Sequence, residues 1–115
     1  MIRVYVAGPY SADNVIDVLH NIGRGEELAA KVFAAGFAVF CPWHDKSYAI
    51  TNWEHDVSVQ QYYDHSIAWL DVSDCVILTA DWKTSAGTLQ EIKRAKKLEI
   101  PVFESIEALK AYWKS

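Results

Sequence analysis

The run Ser-Ala-Gly-Thr-Leu-Gln-Glu, residues 85–91, offers the most chemistry in this sequence. If Ser85 lies near the start of a helix, the next amides lack intrahelical partners, and Gly87 lets an oxyanion approach without meeting a Cβ. Glu91 then falls about one and a half turns into the helix, on the side that can face the same loop. The spacing predicts an anion site and a carboxylate in one pocket. The plainer alternative is an N-capped helix whose Glu91 points to water or pairs with Arg94.

A second polar loop, Gly8 to Ser11, follows an apolar run near the amino terminus. In this loop, Tyr10 has an aromatic ring that can stack on a base, and Ser11 has a hydroxyl that can donate to a phosphate or a sugar. The alternative is a Gly-Pro turn with a surface tyrosine. Trp82 precedes the first motif, and we interpret it either as a surface for a base or as an aromatic plug at the sheet edge.

The elements that must position these residues alternate between strands and helices. Short β-branched and aromatic runs predict four strands, and longer segments with helical spacing or capping residues predict four helices. The predicted strands are 2–7, 37–41, 75–79 and 100–103, and the predicted helices are 14–35, 57–70, 85–98 and 105–113. This alternation predicts an α/β fold with a doubly wound, Rossmann-like or flavodoxin-like parallel sheet of four to five strands and helices on both faces.

Ligands of doubly wound sheets bind at the carboxyl ends of the strands, where the strand order reverses. This rule selects the loop at 8–14 and the loop at 80–87, which carry the two polar motifs. The segment from Pro42 to Asp56 is rich in Trp, His and Asn and is the one long irregular stretch in our interpretation, so we expect it to act as a lid.

Composition bounds the class of protein. A chain of 115 residues, 51% of them apolar, is expected to form a single domain over residues 1–115. The formal net charge of −4 and the scattered basic residues argue against nucleic acid as a partner. We interpret Cys41 and Cys75 as packing thiols of a reducing compartment. No apolar run suggests a membrane span or a signal segment, so we expect a soluble, cytoplasmic protein.

The motifs together resemble the nucleoside 2-deoxyribosyltransferase-like superfamily, which includes 2'-deoxynucleoside 5'-phosphate N-hydrolases and short bacterial and phage proteins. The residues that carry the resemblance are Tyr5 to Ser11, Trp69-Leu70, Asp74, Trp82, Ser85, Gly87 and Glu91, and they extend over nearly the whole chain. The resemblance implies that Glu91 is the nucleophile. It also implies that Ser85 and Gly87 face a phosphate, and that Gly8, Tyr10 and Ser11 belong to the first nucleotide-contacting loop.

One position departs from the pattern of the resembled superfamily. Its members carry an aspartate three residues before the Trp-Leu pair, where it helps to hold the sugar and to supply a proton, and this sequence has Ser66 there. Asp64 is the nearest replacement, but a shift of two residues rotates a helical side chain by about 200°. Three alternatives therefore stay open: a local distortion recruits Asp64, Asp81 serves instead, or activity is reduced.

The resulting functional hypothesis is cleavage or transfer at the N-glycosidic bond of a nucleoside or nucleoside 5'-monophosphate, with Glu91 and Asp64 as catalytic residues. One alternative is a nucleotide-sensing module without catalysis, and another is a glycohydrolase of NAD-like dinucleotides. We expect no cofactor and no metal, because His44-Asp45 and His55-Asp56 lack a compact ligand motif. The resemblance also implies a homo-oligomer. Exposed aromatic residues at Tyr62, Tyr63 and Trp113 are compatible with it, and the alternative is that each belongs to the core.

Overall fold

A computed structural model describes residues 1–51 and 56–114. Within them, strands and helices alternate along the chain, as the sequence predicts. The four strands are β1 (Arg3–Ala7), β2 (Ala38–Phe40), β3 (Cys75–Leu78) and β4 (Val102–Phe103). The five α-helices are α1 (Val15–Ala34), α2 (Lys46–Thr51), α3 (Val59–Leu70), α4 (Ala86–Lys97) and α5 (Ile106–Trp113). In these two ranges, no helix is both long and apolar enough to cross a membrane.

The strands form one parallel sheet in the order β2-β1-β3-β4. Arg3 pairs with Ala38 on one side of β1, and Val4 pairs with Cys75 on the other. The second strand of the chain therefore lies on one side of β1, and the third and fourth strands lie on the other side. The doubly wound α/β prediction is confirmed, and the reversal of strand order lies between β1 and β3.

Alternating side chains of the sheet build two cores, one on each face. Val4 and Val6 face α1 and α5 together with Cys75 and Ile77. Tyr5, Ala7, Val76 and Leu78 face the opposite way, against Leu70 of α3 and Ile92 and Ala95 of α4. This alternation follows from the two-residue period of a strand.

Both cysteines, Cys41 and Cys75, are buried free thiols. Burial raises the pKa of each thiol to about 11, which keeps them protonated at neutral pH.

Four of the α-helices begin at a capping side chain, which accepts a hydrogen bond from an amide of the first helical turn. Asn14, Ser58, Ser85 and Ser105 cap α1, α3, α4 and α5. Two of these helices leave large apolar side chains exposed. In α1, Ile16, Leu19 and Phe33 are exposed, and the helix contacts the sheet through a narrower stripe ending at Val32. In α3, Trp69 is half exposed, and the fully buried positions are Ser66 and Leu70.

The expectation that the chain is irregular from Pro42 onward is wrong for residues 42–51. Pro42–Asp45 forms a 3₁₀ helix and α2 follows it directly. Trp43 anchors this segment, since its ring is fully buried in the first core and its indole N–H donates to the carbonyl of Pro9 at 3.1 Å. Residues 52–55 of the expected lid, which include Trp53 and His55, lie outside the described residues.

Candidate active site

A cavity of about 890 Å³ opens at the carboxyl ends of β1 and β3, where the strand order reverses. This volume is within the range of small-molecule sites. The loop after β1, the 3₁₀ helix after β2, α3 and the start of α4 surround the cavity. Its lining includes six of the eight predicted site residues: Gly8, Tyr10, Ser11, Ser85, Gly87 and Glu91.

Glu91 contributes its carboxylate to the cavity rather than to bulk water. The hydroxyl of Tyr5, a fully buried residue of β1, donates a hydrogen bond to Glu91 Oε2. Burial raises the pKa of Glu91 to about 7, and the Tyr5 hydrogen bond counteracts this rise. The alternatives that Glu91 points to water or pairs with Arg94 are therefore wrong; Arg94 instead forms a two-pronged ion pair with Asp71 at 2.7 and 2.9 Å.

Beside Glu91, the first turn of α4 is built to receive hydrogen-bond acceptors. Ser85 Oγ caps the helix by accepting from the amide of Thr88 at 3.1 Å, and its own hydroxyl proton stays available for a ligand. A Cβ at Gly87 would meet nothing nearer than Ser85 Oγ at 3.9 Å, so this amide can be approached closely. Thr88 is 1% exposed and lines the cavity, and its Oγ1 has no hydrogen-bond partner within the described chain.

The loop after β1 is held rigidly from three sides. A Cβ at Gly8 would lie 2.2 Å from Thr79 Oγ1, so only glycine lets β1 and β3 end this close together. Asn21 of α1 donates to the carbonyls of Tyr10 and Ser11 at 3.2 and 3.5 Å. The Tyr10 hydroxyl donates to Asp45 Oδ1 at 3.2 Å. The Tyr10 ring therefore has a defined position at the cavity wall.

Asp64 and Trp82, the other two predicted site residues, are not brought to the cavity. The Asp64 carboxylate is exposed and accepts from Gln60 at 2.8 Å on the outer side of α3, as the helical rotation from Ser66 requires. Trp82 packs against the second core, in agreement with the plug interpretation. Asp81, the alternative acid, accepts from Thr79 at 2.8 Å and pairs with Arg24 at 3.1 Å.

Several polar side chains of this cavity were missed by sequence reasoning, and the three that bear most on its chemistry are Tyr5, Asp45 and Thr88. Tyr5 looks like an ordinary buried strand residue, and nothing local indicates that its hydroxyl meets a carboxylate 86 positions away. Asp45 was considered only with His44 as a metal ligand. Thr88 could have been found from the sequence, because the third residue after a capping serine lies in the first turn of the helix, beside the same free amides.

The histidine pairs do not assemble a metal centre in the described ranges. No group of three His, Cys, Asp or Glu side chains there could hold an ion. His44 Nε2 lies 3.2 Å from Glu26 Oε2, and Lys46 Nζ lies 2.8 Å from the same oxygen. His55 is outside the described residues.

Comparison of the sequence with models of known protein families assigns the chain to one family. Residues 2–104 match the family model described as Domain of unknown function (DUF4406). The chain belongs to the DUF4406 family. No curated protein matches this DUF4406 domain. The matched region includes β1 to β4 and therefore every residue of the cavity described above.

Proposed function

We propose that this protein cleaves the N-glycosidic bond of a nucleoside 5'-monophosphate, with Glu91 as the nucleophile. The observation that carries the proposal is that the Glu91 carboxylate and the open first turn of α4 face one cavity. A phosphate bound by the amides near Gly87 and the hydroxyls of Ser85 and Thr88 leaves the sugar near Glu91. The free hydroxyl of Thr88 supports a ligand with acceptor oxygens, because a buried donor without a partner costs about 1–3 kcal/mol.

Bond cleavage at C1' develops positive charge on the sugar, and a carboxylate beneath the ring stabilises that charge or captures it as an ester. The Tyr5 hydroxyl orients one oxygen of Glu91 and leaves the other for C1'. With a pKa of about 7, Glu91 is partly ionised at neutral pH. Water as the acceptor gives hydrolysis, and a second base gives transfer.

The proposal is tested by incubating the purified protein with each 2'-deoxynucleoside 5'-monophosphate and measuring free base by chromatography. We expect base release by the wild-type protein and a loss on the order of 10³-fold or more in Glu91→Gln, since the nucleophile is removed. Glu107→Gln, an exposed carboxylate of α5, is the matched control and is expected to retain full activity. Equal activity in Glu91→Gln and wild type removes Glu91 from the mechanism.

A nucleotide-sensing module is the second candidate, and one observation favours it. The position expected to supply an acid holds Ser66, and the neighbouring Asp64 faces solvent. Tight binding of monophosphates with no base released over many hours favours sensing over catalysis.

A further inference from the structure

The proposed reaction needs a second acid, because a departing base must gain a proton. Ser66 occupies the expected position, and its hydroxyl is too weak an acid for this task. Among described residues that line the cavity, three carry carboxyl groups: Asp17, Asp45 and Glu91. Asp17 lies on the exposed first turn of α1, where its carboxylate accepts a hydrogen bond from Nδ2 of the capping residue Asn14 at 2.9 Å. Asp45 is the remaining candidate, and it is only 9% exposed.

The surroundings of Asp45 favour its protonated form more than water does. Burial raises the pKa of Asp45, while Tyr10, His65 and Lys46 oppose that rise. The charge of Lys46 is offset, since its Nζ pairs with Glu26 at 2.8 Å. The Tyr10 hydroxyl donates to Oδ1 at 3.2 Å, which fixes the carboxyl group and leaves Oδ2 for a ligand. A bound base would exclude further water and strengthen the protonated form.

Asp45 and Glu91 approach the cavity from opposite sides of β1. Asp45 follows β2 and Glu91 follows β3, and β1 lies between these strands in the sheet. Helix α3 lies between the two ends, and its Tyr62 and Tyr63 line the cavity. Burial and then the charge of Glu91 raise the pKa of Tyr63, while burial, Asp45 and then Tyr62 raise that of Tyr10. A nucleotide with its phosphate at α4 and C1' at Glu91 therefore extends its base toward the Tyr10 ring and Asp45.

We propose that Asp45 is the general acid that protonates the departing base. This inference rests on the proposed function. In the first step the C1'–N bond breaks with its electron pair moving to the base nitrogen, which takes the carboxyl proton of Asp45, while Glu91 forms an ester to C1'. In the second step water attacks C1', its proton passes to the Asp45 carboxylate, and the ester bond to Glu91 breaks. The products are the free base and the sugar phosphate.

The test compares two substrates that differ by one methyl group: 2'-deoxyguanosine 5'-monophosphate and its N7-methyl derivative. The methylated base is cationic and leaves as a neutral molecule without a proton, so its cleavage does not need an acid. Asp45→Asn keeps the size of the side chain and an oxygen acceptor for Tyr10. We expect it to slow the unmethylated substrate by about 10²–10³-fold, and the methylated one by about threefold or less.

Controls separate this inference from the proposed function. Glu91→Gln is expected to slow both substrates, and Asp17→Asn, at the exposed rim, to leave their ratio unchanged. Tyr10→Phe, which removes one partner of Asp45, should slow the unmethylated substrate more than the methylated one. Activity on the methylated substrate also reports that Asp45→Asn, Asp17→Asn and Tyr10→Phe are folded, and circular dichroism reports this for Glu91→Gln. Equal slowing of both substrates by Asp45→Asn, or none, overturns the role of Asp45 while the glycosidase proposal stands. Wild-type protein that cleaves neither substrate overturns both.

Discussion

Glu91 illustrates how a single side chain acquires its chemistry from neighbours distant in the sequence. The residue sits on α4, but its hydrogen-bond donor Tyr5 belongs to β1, on the floor of the cavity. Burial disfavours the ionised carboxylate and outweighs the help that the phenol gives, which is why the pKa rises to about 7. Charge on this group is therefore sensitive to pH near neutrality.

The raised pKa of Glu91 predicts a pH-dependent contribution to stability. Between its unfolded value of 4.5 and its folded value of about 7, native Glu91 retains a proton that the unfolded chain has released. Its contribution is full below pH 4.5 and is lost as the pH rises through 7. Relative to wild type, Glu91→Gln should therefore gain on the order of 2–3 kcal/mol between pH 4.5 and pH 8. Urea denaturation at both pH values measures this difference.

Glu107→Gln is the control for this measurement, because it replaces an exposed carboxylate with the same amide. We expect its free energy of unfolding, relative to wild type, to change little between the two pH values. A Glu91→Gln difference that is equally independent of pH would show that the Glu91 pKa is not raised in the folded protein.

At the scale of elements, the contact between α1 and the 3₁₀ helix after β2 sets one wall of the cavity. Gly25 lies in α1 against the ring of Trp43, and a Cβ there would lie 2.3 Å from ring carbons. Trp43 in turn holds the carbonyl of Pro9, so this packing fixes the loop that carries Tyr10. Glycine at this position weakens the isolated helix but allows the close approach on which the site depends.

Two glycines of α1 provide a matched pair for testing this packing. Gly25→Ala is expected to destabilise the protein by roughly 1–3 kcal/mol, since the buried Trp43 ring must shift. Gly23→Ala, on the exposed side of the same helix with nothing within 4 Å of the new Cβ, should stabilise by about 0.5–1 kcal/mol. Thermal unfolding of the two variants gives the comparison. Stabilisation by both would mean that Trp43 does not pack against Gly25.

At the scale of the whole molecule, the cavity exists because β1 and β3 end side by side while their following loops diverge. Arg24 of α1 connects the two sides, because it donates to Asn21 and to Asp81, each at 3.1 Å.

The aromatic residues considered for subunit contacts are only partly exposed. Tyr62 and Tyr63 line the cavity, and Trp113 packs against the first core. They are therefore not the exposed patch with which we associated a homo-oligomer. Association of subunits stays a prediction, for which the exposed side chains of Ile16, Leu19 and Val59 are available.

Ligand binding across this cavity should stabilise the whole fold. A 2'-deoxynucleoside 5'-monophosphate at 100 times its Kd is expected to add about 2.7 kcal/mol to the free energy of unfolding. For a domain of this size that corresponds to a rise in Tm on the order of 10 °C, measurable by differential scanning fluorimetry. Under the proposed mechanism Glu91→Gln does not turn the nucleotide over, so this variant gives the cleanest titration. The control is the same nucleoside without its phosphate, added at the same concentration as the monophosphate. An equal rise in Tm with the two ligands would argue against the anion site at α4.

The sequence by itself determined the four strands and four of the α-helices. Periodicity of two or 3.6 residues, with Ser105 as a capping residue, was sufficient for the strand–helix alternation and therefore for a parallel doubly wound sheet. The same local reasoning located the loops that line the cavity, because parallel strands bring their carboxyl ends to one edge. These features depend on neighbours within a few residues, and so they are visible in the sequence.

Only the tertiary structure decided which side chains meet in the cavity. Tyr5 reaches Glu91, Tyr10 reaches Asp45, and Asp64 faces solvent, although none of these outcomes follows from spacing. The reason is physical: a hydrophobic pattern specifies which face of an element is buried, whereas the partner of a polar group depends on how elements far apart in the chain pack together. The acid of the proposed reaction therefore comes from a segment that we had interpreted as an irregular loop.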